Sequence, residues 1–291
     1  MTKREFMLAI GAAAMCAGLV WRPAITSASS ITPGAISAAD LIQTVQTTGQ
    51  YRGKAAFCYN IMGRRAGFTS TSVLNDVVEF ANGTAAIPVL TGVEPLEIVS
   101  SSANDTNTGP GTGANQVKVT YIDASNNLVE SAAILLNGTT AVAAGFTAIE
   151  PLWMHVSTVG TGTIAAGNIR LRIVSGSVEC EQISAGGNMS LSSRFMIPTG
   201  YTGYLATWNS HAINNDQDLR MRAQLDPTTR AFSAPYHFID NDYLPSNTGS
   251  SSFPPFLKIP ALARIKVSTL SAGTGATIRA ETTFVLVIIA N

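Results

Sequence analysis

Gln116-Val-Lys-Val-Thr-Tyr-Ile-Asp-Ala-Ser-Asn-Asn-Leu-Val-Glu-Ser-Ala-Ala-Ile-Leu-Leu-Asn-Gly138 decides the fold. Residues 117–123 alternate Val117, Val119 and Tyr121 against Lys118 and Thr120. Residues 124–127 turn the chain, residues 128–136 return it, and Asn137-Gly138 turns it again. Period-two alternation bounded by Asn-Gly and Asp/Ser/Asn clusters is the pattern of β-hairpins. Just upstream, residues 96–99 read as a strand and residues 100–114 as a polar, Gly-rich loop. The block 96–142 therefore predicts two or three core strands of a sandwich, with 100–114 as its exposed, variable loop. It holds no nucleophile–base pair and no cluster of metal ligands.

The same pattern extends both ways. In the first β region, residues 77–80 and 86–90 flank an Asn82-Gly83 turn, and 141–144 and 153–159 follow the opening block. Residues 161–167 form a Gly/Thr loop, after which Ile169, Leu171 and Ile173 alternate with Arg170 and Arg172. In the second region, residues 189–197 lead to a Pro198-Thr-Gly200 turn and then to 201–208. Leu219, Met221, Ala223 and Leu225 alternate with Arg220, Arg222 and Gln224, and residues 230–238 run into a polar loop at 240–252. Residues 257–260 and 264–270 precede 276–289, a strand apolar enough to be central in its sheet. Short strands with turn chemistry between them, and no three-turn amphipathic helix after residue 50, predict an all-β fold. The expected arrangement is two jelly-roll-like antiparallel sandwich halves, 69–180 and 181–291, behind a segment 1–68 that serves as an N-terminal apolar helix or arm and linker. No blade-length repeat supports a propeller.

The N-terminus has two readings. Lys3-Arg4, an apolar run over residues 6–21 and Ser27-Ala-Ser-Ser30 fit a cleaved secretory signal peptide. The alternative is a retained apolar helix or arm. The run is short for a membrane span, so a membrane contact is open only through this segment. Beyond it, residues 37–46 read as two helical turns with Ser37 as N-cap, Asp40 at the third position, an apolar face of Leu41, Ile42 and Val45, and Gly49 as the stop. Residues 51–62 read as a strand with Ala55, Phe57, Tyr59 and Ile61 on one side.

Composition narrows the function. Charged residues are 12% of the 291, against roughly 25% in a typical soluble domain. Lys+Arg and Asp+Glu are 18 each, so no net field invites nucleic acid or an anionic membrane surface, and little opposes self-association. Cys16, Cys58 and Cys180 are far apart with no Cys-x-x-Cys, and read as free buried thiols, one disulfide being the alternative. Gly109-Pro-Gly111-Thr-Gly113 lacks the Lys-Ser/Thr and the following helix of a phosphate loop. His155, His211 and His237 include no His-x-His pair. Asp216-Gln-Asp218 and Asp240-Asn-Asp242 do not continue as calcium loops. The expectation is no enzyme, no catalytic residue, no cofactor and no metal.

A resemblance adds to this. Ile98-Val-Ser-Ser-Ser-Ala-Asn-Asp-Thr106, Gly111-Thr-Gly-Ala114, Val117, Val119, Tyr121-Ile-Asp123, Glu130 and Leu136-Asn-Gly-Thr-Thr-Ala-Val142 resemble β-rich virion structural proteins of tailed phages and large aquatic DNA viruses. The segment 160–173, Pro198-Thr-Gly-Tyr-Thr202 and Phe253-Pro-Pro-Phe256 with Ile259-Pro260 are similar to their later parts, and the likeness spans residues 93–287. It implies a capsid or capsid-associated subunit of cement, decoration, vertex or fibre-base type, located in the virion, partnered by other virion subunits and by its own copies as a trimer. Phe6, Leu8, Ile10, Leu19 and Trp21 would anchor the arm, and Trp153, Trp208, Tyr236 and Phe253 are candidate subunit contacts that also read as core. The rival is a secreted or cell-surface β-sandwich that binds glycans or a receptor.

Overall fold

Val117, Val119 and Tyr121 face one core, as their alternation requires, from the strand Ala114–Ile122. The computed structural model describes residues 37–68, 74–79, 88, 90, 92–109, 111–174, 176, 178–224, 236–244 and 248–291. Within them the protein is all-β, with antiparallel sheets and one short helix. The Asn82-Gly83 turn, most of the strand expected at 230–238, Cys16 and the arm residues Phe6, Leu8, Ile10, Leu19 and Trp21 lie outside the described residues.

Strands are numbered in chain order. In the first sandwich, one sheet runs β11 (Glu179–Ile183), β10 (Ile169–Ile173), β4 (Glu94–Ser100), β8 (Val142–Ala148). In the other, β5 (Ala114–Ile122) pairs with β9 (Glu150–Val159), β6 (Leu128–Glu130) and β7 (Ile134–Leu135). Leu96, Ile98, Val117, Val119, Met154, Ile169 and Leu171 fill the space between them. The hairpin turn is closed by Asp123, whose Oδ1 accepts the N–H groups of Ser125 and Asn127 at 2.8 Å. That is the side-chain-to-backbone bonding for which Asp is favoured in turns.

In the second sandwich, one sheet runs β1 (Gln50–Tyr51), β2 (Lys54–Phe68), β18 (Gly275–Ala290), β13 (Tyr201–Ile213), β16 (Thr248–Ile259). Its partner runs β12 (Arg194–Met196), β17 (Arg264–Ser271), β14 (Gln217–Gln224), β15 (His237–Leu244), with β3 (Asn75–Asp76) also on β17. The final strand is central, as its composition demands. Phe284, Leu286 and Ile288 enter the sandwich core, while Val287 and Ile289 on the opposite parity pack under helix α1 (Ala38–Thr48) with its Leu41 and Val45. A strand buried on both faces reads as a continuous apolar run. Helix α1 begins and ends where its caps sit. The Ser37 hydroxyl oxygen accepts the Asp40 N–H at 3.2 Å, and Gly49 at φ 64° donates its N–H to the Val45 carbonyl at 2.8 Å.

Three segments depart from the sequence reading. The strand expected at 51–62 is present but runs on to Phe68 as an inner strand, Lys54–Phe68, that pairs along β18, where Phe57, Tyr59 and Ile61 oppose Ile288, Leu286 and Phe284. Residues 240–252, expected as a loop, hold the end of β15 and the start of β16. Both are outer strands of their sheets, where polar side chains are compatible with pairing. Near residue 180, β11 continues to Ile183, so the first sandwich's edge strand crosses the expected boundary. The two bodies meet where β5 and β9 change allegiance. Thr120 opposes Trp153 and Tyr121 opposes Pro151, which leaves Leu152 as a bulge. The bulge re-aims the strand, so Met154 joins the first core while Ile122 and Leu152 join the second.

Candidate functional site

Strand β17 reads Arg264-Ile-Lys-Val-Ser268, and period two puts Ile265 and Val267 in the second core. Its other face carries Arg264, Lys266 and Ser268, which the alternation would leave wet, yet all three are buried. Arg264 is covered where the two sandwiches meet, and Lys266 and Ser268 are covered by Asp76 of β3 and Arg222 of β14 in their own sheet. Glu150 at the start of β9 accepts Arg194 Nη1 on Oε1 at 3.1 Å and Arg264 Nε on Oε2 at 3.2 Å. Arg194 also donates Nη2 to Glu181 Oε1 at 2.7 Å and to the Cys180 carbonyl at 2.7 Å. Further along, Asp76 accepts Lys266 Nζ at 2.9 Å, the Ser268 hydroxyl at 2.6 Å and Arg222 Nη2 at 3.2 Å. The Tyr236 ring lies over Lys266 Nζ at 4.4 Å and over the Arg222 guanidinium at 5.5 Å. A cavity of about 10 Å³, room for one water, is lined by Glu150, Arg194, Tyr236, Arg264 and Lys266 with Phe195 and Ile265.

This seam holds two bodies in register. Burial pushes the Glu181 carboxyl above its ordinary range, against the pull of Arg194. Burial works against the Arg194 charge too, but Glu181 and Glu150 outweigh it and hold the guanidinium above its usual value. Charges this deep persist only because they are paired and hydrogen-bonded on several sides. The neighbouring Cys180 thiol is pushed up to about 12, chiefly by burial, which is the opposite of an activated nucleophile. Among the described residues, no group of three or more His, Cys, Asp and Glu side chains is placed to hold a metal ion. The histidines lie apart, on β9, β13 and β15.

The far end of the first sandwich is organised by a different carboxylate. Asp105 is fully buried inside the loop expected to be exposed and variable. Its Oδ1 accepts the N–H groups of Ala114 and Ala166, each at 2.8 Å. Its Oδ2 accepts the Gly167 N–H at 2.8 Å and the Ser100 hydroxyl at 2.6 Å. One side chain thereby fastens three segments. The glycines here are required by close approach, since a Cβ on Gly113 would strike Asp105 Oδ1 and one on Gly160 would strike the Gly111 carbonyl. Backbone bonds continue the knitting, from Gly160 N–H to the Gly113 carbonyl at 2.7 Å and from Gly138 N–H to the Asp105 carbonyl at 2.8 Å. The loop is therefore pinned along its base, and Ala114 already belongs to β5.

Of the aromatic contact candidates, one is internal. Trp208 has no exposed surface, and its Nε1 donates to Thr282 Oγ1 at 2.6 Å, so it belongs to the second core and offers a partner nothing. Trp153 is half-buried between Tyr59, at 5.9 Å, and Phe195, at 6.2 Å between ring centroids, at the junction of the sandwiches. Tyr236 is half-buried over the seam, and Phe253 lies in β16. The sequence reading missed the seam acids. Their signal is an isolated acid inside a hydrophobic run, as in Ile149-Glu-Pro-Leu152 and Cys180-Glu-Gln-Ile183. Cys58 and Cys180 form no disulfide, and of the two only Cys180 is buried as expected, Cys58 being half-buried.

No protein-family model and no curated protein matches the chain. Its likenesses to solved structures are distant. The N-terminal CBM22-1-CBM22-2 tandem domain of Paenibacillus barcinonensis Xyn10C is similar at TM-score 0.24 and 12% identity, over 83% of this chain and 99% of that one. The infectious bursal disease virus VP2 subviral particle is similar at TM-score 0.20 and 10% identity, over 82% and 72%. A structure of the triple jelly roll fold and turret assembly in an archaeal virus is similar at TM-score 0.20 and 12% identity, over 79% of this chain and 60% of that one.

Proposed function

We propose that this chain is a structural subunit of a virus particle, a non-enzymatic capsid or capsid-associated protein that assembles with its own copies as a trimer and with other virion proteins. The observation that carries the reading is the seam. Two sandwiches joined by buried ion pairs, from Arg194 and Arg264 to Glu150 and Glu181, behave as one rigid body, and a particle subunit has to present fixed faces to its neighbours. The near-zero net charge offers little repulsion between copies. The resemblance over residues 93–287 to β-rich virion proteins points the same way. Among the described residues no helix is long and apolar enough to cross a membrane.

Native mass spectrometry and negative-stain imaging of the full chain at micromolar concentration test the proposal. A trimer, and closed or layered assemblies at higher concentration, are the expected result. A stable monomer that captures glycans on an array would replace it with the cell-surface sandwich reading. The feature behind that second reading is the pair Phe57 and Tyr201 at the end of the second sandwich, with Phe57 45% exposed, Tyr201 half-buried against the core and the rings 6.1 Å apart.

A further inference from the structure

Lys266 sits in the middle of a row of like charges. In the paired strands Arg194 of β12, Lys266 of β17 and Arg222 of β14 stand directly opposite one another, three cations across one sheet. Like charges directly opposite destabilise a sheet. Asp76 meets the middle cation from β3, which pairs with the next stretch of β17 through Asp76–Ser268 and Asn75–Thr269. Its Oδ2 accepts Lys266 Nζ at 2.9 Å, and the side chains of Asp76 and Lys266 are 1% and 11% exposed. Its Oδ1 is held separately, by the Ser268 hydroxyl at 2.6 Å and by Arg222 Nη2 at 3.2 Å. The backbone beside it is fixed. The Val77 N–H bonds the Val267 carbonyl at 2.9 Å, and the Val77 carbonyl accepts the Ser193 N–H at 3.1 Å and the Ser193 hydroxyl at 2.7 Å. The Tyr236 ring lies over Nζ at 4.4 Å, and the space of about 10 Å³ beside Lys266 has room for one water.

We propose that Lys266 and Asp76 condense in the folded chain to an amide bond between Nζ and Cγ. The atoms balance without a further reagent. The ammonium passes one proton to Oδ2 and the neutral amine attacks Cγ. The charge that develops on Oδ1 is taken by Ser268 and Arg222, donors already aimed at that oxygen. A second proton from the nitrogen follows to Oδ2, the Cγ–Oδ2 bond breaks, and Oδ2 leaves as water. In bulk water the separate ions are the stable side, because each is hydrated. At a site shut from solvent that hydration is already lost. There the amide removes a buried charge pair and takes the middle cation out of the row. Arg222, 15% exposed, retains the amide oxygen, the Ser268 hydroxyl and the Tyr236 ring. The bond closes a loop from residue 76 to residue 266 that contains the whole first sandwich, so the second sandwich is fastened across that insertion. It forms once per chain, without turnover. The inference does not rest on the particle reading, since it holds for a monomer as for an assembly.

Peptide mapping of the purified full chain, denatured and digested with trypsin, tests it. No Lys or Arg lies between Arg65 and Lys118, and an acylated Lys266 is not cut. The expected product is residues 66–118 joined to residues 265–279, lighter than their sum by one water. Unmodified 66–118 together with cleavage after Lys266, from protein that is folded, overturns the proposal. Loss of one water on 66–118 alone overturns it as well, as the mark of a cyclic imide at Asp76. Lys266→Arg keeps a cation against Asp76 and is expected to lose the joined peptide entirely. Without the closed loop it is expected to melt about 10 °C below wild type. Ser268→Ala leaves the lysine and the aspartate in place. It is expected to form the bond roughly 100-fold more slowly, read from the rise of the joined peptide after refolding. An unchanged rate overturns the activation of Oδ1. The wild-type map decides the bond itself whether or not a variant folds.

Discussion

Asp105 and Glu181 are both buried carboxylates, and the chain keeps them by opposite means. Asp105 takes three backbone N–H groups and one hydroxyl, with no cation bonded to it. Glu181 takes an arginine, which in turn is shared with Glu150. The first solution ties loops to loops within one sandwich, where backbone donors are abundant. The second ties one sandwich to another, across a junction where Arg194 also reaches the Cys180 carbonyl and the Thr199 N–H bonds the Asn126 carbonyl at 2.8 Å. Dipoles therefore organise the outer end and whole charges organise the joint. The outer end is left uncharged outside, and the joint takes in Arg194, Arg264, Glu150 and Glu181.

Substitutions at the two places separate them. Arg194→Met removes the partner of Glu181 and one partner of Glu150 while keeping an apolar stem. Breaking a buried pair from one side costs about 3–5 kcal/mol. For a chain of this size that is a fall in Tm of roughly 10 °C, read by calorimetry. An unchanged Tm would mean that charge does not organise the joint. The thermogram is also expected to broaden or split, because the two sandwich cores lose their coupling.

Asp105→Asn keeps the shape and removes acceptor capacity, turning an amide N–H₂ toward donors. The cost is about 2–3 kcal/mol, the penalty for leaving buried N–H groups without an acceptor. Hydrogen exchange is the sharper measurement. The amides of Ala114, Ala166 and Gly167 are expected to lose protection while those of β17 and β12 keep theirs. Equal loss in both regions would erase the distinction between a local tie and a global joint.

The smallest effect is on pH dependence. Cys180 in the folded chain is raised from 9.0 to about 12, so the unfolded chain gives up this proton first as pH rises. The group's contribution is complete below pH 9 and is lost between 9 and about 12, at up to about 1.4 kcal/mol per pH unit. Tyr59, raised by burial to about 12, adds a slope of the same sign from 10 upward. Cys180→Ala is expected to flatten urea midpoints over pH 9–10, where Tyr59 contributes little. An unchanged slope in that window would show that the thiol is not held in the apolar margin of the joint.

Several features were legible from local order. Ser37 with Asp40 three residues on and Gly49 at the end located the helix, because caps involve neighbours in sequence. The Val117, Val119, Tyr121 alternation located a core strand and its face, and the increasing apolarity along 276–289 located a central one. Read by that same rule, β17 misled. Arg264, Lys266 and Ser268 have the parity of a wet face, and only distant residues, Glu150 of the other sandwich and Asp76 of β3, bury them.

What the sequence by itself determined is the all-β fold, the caps, the hairpin and the faces of the inner strands, since all of these follow from contacts within a few residues. What only the tertiary structure decided is where the charges go. Lys266 finds Asp76 across 190 residues, Arg264 finds Glu150 across 114, and Asp105 finds Gly167 across 62. Hydrophobic periodicity says which side of a strand is buried in its own sheet. The partner of a buried charge is set by which distant strand or loop the fold lays beside it, Glu150 of the other sandwich for Arg264 and Asp76 of the same sheet for Lys266, and no local pattern encodes that.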